Sequence, residues 1–185
     1  MIMTTELPIA VIALKIKAQK NISNFRRTPD FFASFSFFYN RLLTYLYKHP
    51  ACLEIKQQDN NIIIIWNLKE AKAESILEKH KTIYKILRET NKSFPYCPIN
   101  YLVVLEAGIC NIIKLQYNSK APAFIMQSDM IERTQKVISS IDGAKYPQIM
   151  FTHDFYKLLP AEVKEKVFCP YYFFHICCYS FKPHH

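Results

Sequence analysis

The chain has 185 residues, half of them hydrophobic, and 24 Lys and Arg against 15 Asp and Glu give a formal charge of +9. That length and apolar content suffice for one core and exclude wholesale disorder, and no run approaches the ~20 apolar residues of a membrane-crossing helix. Only two glycines occur, Gly108 and Gly143, which excludes a Gly-rich phosphate loop, because such loops need several residues without a Cβ.

In chain order, "PIAVIALKIK" (Pro8–Lys17) is a short apolar strand, predicted to be central. The opening "MIMTTELPIAVIALKIK" has no basic start, and Lys15 and Lys17 interrupt its apolar run, so it does not read as a signal peptide. "TPDFFASFSFFYNRLLTYLYKHP" starts a helix, with Thr28 as N-cap, Pro29 at the first helical position and Asp30 in the first turn. Phe31, Phe35, Phe38, Leu42, Tyr45 and Leu46 then keep helical spacing to Lys48.

"LEIKQQDNNIIIIW" follows, two β-prone runs, Leu53–Lys56 and Ile62–Trp66, joined by the polar "QQDNN". Asn and Asp suit such links because they tolerate left-handed backbone and bond their own main chain. Asp59 is thereby placed at a hairpin tip. "KEAKAESILEKHKTIYKILRETNK" is an amphipathic helix with Ile76, Leu77, Ile83, Tyr84 and Leu87 on one face, and His80 falls on that stripe.

"INYLVVLEAG" reads as a buried strand and "ICNIIKLQYNSKAPAFIMQ" as two more, linked by "NSKAP". "SDMIERTQKVISSID" is a helix capped by Ser128, with Ile131, Val137 and Ile138 inward. "PQIMFT" is a strand, "HDFYKLLP" a helical turn and "AEVKEKVF" a short charged helix. The order predicts an α+β fold with a ferredoxin-like βαββαβ core plus extra strands and helices, its sheet covered by helices on one side. Residues 1–168 form the expected domain, and 169–185 an aromatic tail expected as a final strand.

The six cysteines, Cys52, Cys97, Cys110, Cys169, Cys177 and Cys178, show no CxxC framework, so free thiols in a reducing cytoplasm are the expectation. Cys169, His175, Cys177, Cys178, His184 and His185 supply soft ligand types, but their spacing matches no zinc motif. The basic balance is compatible with nucleic acid, an anionic surface, an acidic partner or a solvated basic face.

The element order and several local stretches resemble the catalytic domain of the class III adenylate/guanylate cyclases, over roughly Pro8 to Phe168. "VVLEAG" stands where the family has a strand ending in a "GIHTG"-like turn, with Gly108 as its last glycine. "MQSDMIERTQKV" stands at the "GDAVNVAARL" helix start. "YPQIMFTHDFYKLLPAEVK" resembles the closing strand and helical turn.

The resemblance puts Asp59 at the second metal-binding carboxylate. Cyclisation turns the ribose 3′-hydroxyl onto the α-phosphate, and two Mg²⁺ or Mn²⁺ ions, held by two carboxylates, activate one and neutralise the other. The first carboxylate is expected near Lys15, yet between Glu6 and Asp30 the chain has no acidic residue. The family's transition-state Asn falls on Glu132 and its phosphate-binding Arg on Lys136. The two base-reading positions fall on Ile55 and Ile125, whose side chains cannot hydrogen-bond a base edge, while Lys136 keeps a point charge without the guanidinium fork.

In family heterodimers one subunit gives both carboxylates and the other gives the Asn, the Arg and the base readers, and this chain is complete for neither role. The expectation is a degenerate cyclase-fold protein that acts by pairing with itself or another cyclase-like chain. Mg²⁺ or Mn²⁺ enters only if activity remains. The alternatives are an active or partner-complemented cyclase, and a basic nucleotide or nucleic-acid binder using Lys15, Lys17 and Lys136.

Overall fold

The computed structural model describes residues 2–18, 29–115, 123–141, 149–173 and 176–181. Thr28, His175, His184 and His185 lie outside these residues, so the N-cap expected at Thr28 and the histidines of the tail are not described.

Three stretches build the central part of the sheet. Strand β1 (Ile2–Ala18) leads to helix α1 (Pro29–Leu46), the hairpin β2 (Cys52–Gln58) and β3 (Asn61–Asn67), helix α2 (Ala73–Ser93) and strand β4 (Ile99–Leu115). The strands lie in the order β2-β3-β1-β4, with β1 antiparallel to both β3 and β4. This is the split βαβ arrangement in which each helix crosses between two parallel strands that hold a third between them.

Helix α1 follows from its phenylalanines. Phe31, Phe35, Phe38, Leu42 and Leu46 recur at helical spacing and are all buried, as a stripe facing a core requires. Helix α2 buries Ile76, Leu77, Ile83, Ile86 and Leu87 in the same way. Both pack on the face of β1 that carries Ala10, Ile12, Leu14 and Ile16, together with Ile62, Ile64 and Trp66 of β3.

The alternate residues of β1, Ile9, Val11 and Ala13, point to the opposite face. There they meet Met130, Ile131, Val137 and Ile138 of helix α3 (Asp129–Ser140). Helices therefore cover both faces, not the one side expected. A strand with apolar residues on both sides must be covered twice, and β1 is such a strand.

Two further differences concern strands. The stretch expected as a buried strand and the start of another is one strand, β4, running from Ile99 through Gly108 to Leu115. Its first half pairs with β6 (Ile149–Thr152) and its second with β5 (Ala123–Gln127). After the short helices α4 (His153–Lys157) and α5 (Ala161–Lys164), the end of the chain makes two strands, β7 (Val167–Phe173) and β8 (Ile176–Phe181). Strand β8 pairs with both β6 and β7, so the stretch after Phe168 continues the same sheet as a hairpin instead of one final strand. Among the described residues no helix is long and apolar enough to cross a membrane.

Candidate functional site

The β2–β3 link is tighter than the sequence implied. Gln58 and Asn61 pair across the hairpin, which leaves Asp59 and Asn60 as the turn. Asp59 adopts φ 52°, the left-handed region, which Asp tolerates better than bulky residues do. The turn is held by Gln57 Nε2 donating to the Asp59 carbonyl at 2.6 Å and by Asn60 Nδ2 donating to the Ile16 carbonyl at 2.5 Å. The second bond ties the hairpin tip to the end of β1.

Lys15 lies directly across from Asn61 in the β1–β3 ladder. Asp59 is two residues earlier, so the Lys15 and Asp59 Cα atoms are within about 13 Å, from ~3.8 Å per residue and ~5.5 Å across a strand pair. The side chain of Lys15 has a definite task. Its Nζ donates to the carbonyl oxygens of Ser139 at 2.7 Å and Ile141 at 3.0 Å, acceptors at the C-terminal end of α3. A cation there satisfies carbonyls that have no helical partner and complements the negative end of the helix dipole.

Glu132 and Lys136 both stand exposed on α3, one turn apart and hence on one side of the helix. A cleft of about 540 Å³ separates the hairpin from α3, lined by Lys56, Gln57, Gln58, Asp59, Asn61, Ile63, Gln135 and Ser139. A second depression, bounded by Glu132, Gln135, Lys136, Ser139 and Ser140, shares two of those walls. The fold thus sets Asp59 across a cleft from α3 and Lys15 against its C-terminal end, with Glu132 and Lys136 on the exposed side of the same helix.

The two positions to which the resemblance assigns base reading line neither depression. Ile55 is half-buried at the margin of the α1–α2 core, and Ile125 is exposed on β5. A larger apolar groove of about 800 Å³, with Pro8, Leu68, Ile109 and Leu158 in its wall, opens near Pro8. That is seven residues along β1 from Lys15, or roughly 23 Å at 3.3 Å per residue.

A pair of divalent ions needs several hard oxygen donors converging on one point. The cleft offers one carboxylate, Asp59, alongside Lys56 and four carboxamides, with the Lys15 ammonium committed to α3 nearby. Among the described residues no group of three or more His, Cys, Asp and Glu could hold a metal ion. These residues do not fit the two-ion arrangement.

The sequence reading missed the residue with the most unusual surroundings. Glu106 on β4 is fully buried. Its Oε1 accepts from Thr152 Oγ1 of β6 at 2.5 Å and from the Ala107 amide at 3.3 Å. Its Oε2 lies 3.2 Å from Nη2 of Arg133 on α3, a close ion pair without the alignment of a hydrogen bond. Burial raises its pKa above the ordinary carboxylate value, against the opposing effects of Thr152, Arg133 and the Ala107 amide. A lone Glu inside the apolar run "LVVLEAG" was the available signal, since Glu is rarely fully buried unless paired.

Ser128 also differs in detail. It occupies the N-cap position of α3 without making the capping bond, and its hydroxyl donates to the Ile109 carbonyl at 3.1 Å. Five cysteines, Cys52, Cys97, Cys110, Cys177 and Cys178, are free thiols. Burial pushes Cys52 up to about 11 and Cys178 up to about 12.

No family model matches the chain, and no curated protein matches it in sequence. Solved structures do match in shape. The adenylyl cyclase CyaB from P. aeruginosa superposes with a TM-score of 0.69 at 11% identity, covering 99% of this chain and 97% of that one. The guanylyl cyclase Cya2 gives 0.68 at 10% identity, covering 95% and 91%. A non-canonical dimeric guanylyl cyclase domain of a RhoGC fusion protein from the aquatic fungus Blastocladiella emersonii gives 0.60 at 14% identity, covering 97% and 96%. From β1 to β8, the chain has the fold of the class III adenylyl and guanylyl cyclase catalytic domains.

Proposed function

We propose that this chain is a catalytically degenerate cyclase-fold module that works by pairing with a second cyclase-like chain, a copy of itself or a different one. The observation that carries this reading is Lys15. The strand position at which the resemblance requires a metal-binding carboxylate holds an ammonium instead, and that ammonium closes the end of α3. Two unit charges 4 Å apart interact by ~4 kcal/mol at an effective dielectric near 20, so a dication beside a lysine meets repulsion of about twice that. Glu132 and Lys136 in place of the Asn and Arg remove the second half of the machinery. The module functions without Mg²⁺ or Mn²⁺, and its role is regulatory.

What such a domain retains is the surface on which cyclase folds meet, and the Blastocladiella domain, which forms a non-canonical dimer, shows that this fold can pair with itself. A concentration series in sedimentation velocity, with and without an added active cyclase domain, tests this. The expected result is a dimer or a mixed dimer that persists at high salt. A monomer at every concentration, with no association to the added domain, contradicts the proposal.

A second reading is binding of a nucleotide without turnover, favoured by the polar lining of the hairpin–α3 cleft with Lys56 on its wall. Calorimetry with ATP and GTP separates the two, because a phosphate-driven contact weakens steeply with salt.

A further inference from the structure

Helix α3 is fastened to the sheet at two points of different chemistry. At its C-terminal end Lys15 bonds the Ser139 and Ile141 carbonyls. In its first half Arg133 reaches down to Glu106, and the contact is asymmetric. The Glu106 side chain is 1% exposed and the Arg133 side chain 44%. Only the carboxylate is committed to the interior.

We propose that Glu106 makes the docking of α3 onto the sheet a proton-linked equilibrium, with Arg133 as the counter-charge that keeps the helix seated at neutral pH. The argument is a comparison of two states. With α3 docked, Glu106 is fully buried beside Arg133 of the helix and Thr152 of β6, paired across the sheet with Val11, which packs against α3. With α3 lifted, the same carboxyl meets water and has the ordinary value of about 4.3.

Burial disfavours the charged form, and Glu106 is accordingly raised when docked. The docked state therefore holds a proton more tightly. The stabilisation is fully present below pH ~4.3 and is lost as pH rises through the docked value. Acid seats the helix and alkali loosens it. Arg133 limits the loss by lowering the Glu106 value, as do the Thr152 hydroxyl and the Ala107 amide.

Among the described residues, the groups acting on Glu106 are Arg133 from α3, the Thr152 hydroxyl from β6, and the Cys178 thiol from β8, itself pushed up to about 12. Cys178 therefore keeps its proton from acid to neutral pH. The first turn of α3 also carries the carboxylates Asp129 and Glu132, and the Glu106→Gln variant separates Glu106 from them. The consequence reaches the surface, because the helix that responds carries Glu132 and Lys136 and contributes Gln135 and Ser139 to the cleft wall.

The test is amide hydrogen exchange of α3 in the full chain, for the parent, Arg133→Met, Glu106→Gln and the double variant. Rates are corrected for the intrinsic pH dependence of amide exchange. Removing Arg133 leaves an unpaired buried charge at neutral pH, a severe perturbation. In Arg133→Met, α3 exchange should speed up by about tenfold per pH unit between the ordinary Glu106 value and its docked value, an interval that reaches to higher pH than in the parent, and it should match the parent rate in acid.

Glu106→Gln keeps the shape and removes the charge, so it should abolish this pH dependence alone and in the double variant. If Arg133→Met does not fold at neutral pH, it should fold in acid or when Glu106→Gln is added. A speed-up independent of pH, one that survives in the double variant, no change on removing Arg133, or folding restored by neither condition overturns the proposal.

Discussion

Replacing Lys15 with Met removes the ammonium and keeps the length and apolar stem of the side chain. Two bonds are lost, to Ser139 O at 2.7 Å and Ile141 O at 3.0 Å, along with a cation at the helix C-terminus. Hydrogen bonds to charged groups contribute about 1.5–3 kcal/mol when buried and a cation at a helix end about 0.3–1. Lys15 is half-exposed, and its acceptors can be solvated once it is gone, so the expected net loss is about 1–2 kcal/mol. For a domain of this size about 2–4 °C of Tm accompanies each kcal/mol, which puts the midpoint about 2–8 °C lower. Thermal melts of the parent, Lys15→Met and Lys15→Glu at low and high salt measure it. The Met variant should lose less at high salt, where the dipole contribution is screened, and the Glu variant should lose more than Met, since it sets a negative charge on the negative helix end. An unchanged midpoint in Lys15→Met, or a gain in Lys15→Glu, would refute the assignment of Lys15 to α3.

Three further outcomes follow from named contacts. His80 is half-buried, shares a 3.0 Å hydrogen bond with the Tyr101 hydroxyl, and is pushed down to about 4 by burial. A depressed base stabilises the fold above its unfolded value of ~6.5 and that stability is lost as pH falls towards 4, by up to about 3 kcal/mol, so His80→Leu should flatten denaturation midpoints between those limits, and an unchanged slope counts against it. A Cβ on Gly108 would meet Met130 Sδ at 2.9 Å, so Gly108→Val should cost about 1–3 kcal/mol by overpacking, measured by urea unfolding, with Gly108→Ala milder because the thioether can shift. Asp59 at φ 52° should accept Gly or Asn with little change and lose about 1–2 kcal/mol as Val, and a stable Asp59→Val would mean that the turn is not left-handed in solution.

Much of the architecture was legible because it rests on periodicity. The α1 stripe of Phe31, Phe35 and Phe38 and the Ile131, Val137 and Ile138 face of α3 have one helical solution, and both are found. Strand lengths were less legible. Thr4, Thr5 and Glu6 are exposed and carry no apolar alternation, yet β1 begins at Ile2 because β4 offers partners along its whole length. The side on which α3 packs could not be read from its own sequence, since an amphipathic helix fits either face of a sheet that is apolar on both.

At the site, Asp59 was legible as a turn residue through its dipeptide context, and the Lys15 substitution through the absence of acids between Glu6 and Asp30. What Lys15 does instead was not, because its acceptors are 124 and 126 residues away in the chain. Glu106 and Arg133 escaped for the same reason. A charged residue in an apolar run signals an anomaly, but only the fold names its counter-charge.

The central claim is that the cleft does not cyclise nucleotides, and turnover tests it most directly. The purified chain and its Asp59→Asn variant are each incubated with ATP, GTP, CTP and UTP, in Mg²⁺ and in Mn²⁺, and 3′,5′-cyclic product is sought by mass. The loss of one metal-binding carboxylate can already disable such a mechanism, and residues that act as a unit do not lose activity additively. The account predicts no cyclic product from either protein with any nucleotide or ion, and product that forms in the parent and disappears in Asp59→Asn would contradict it.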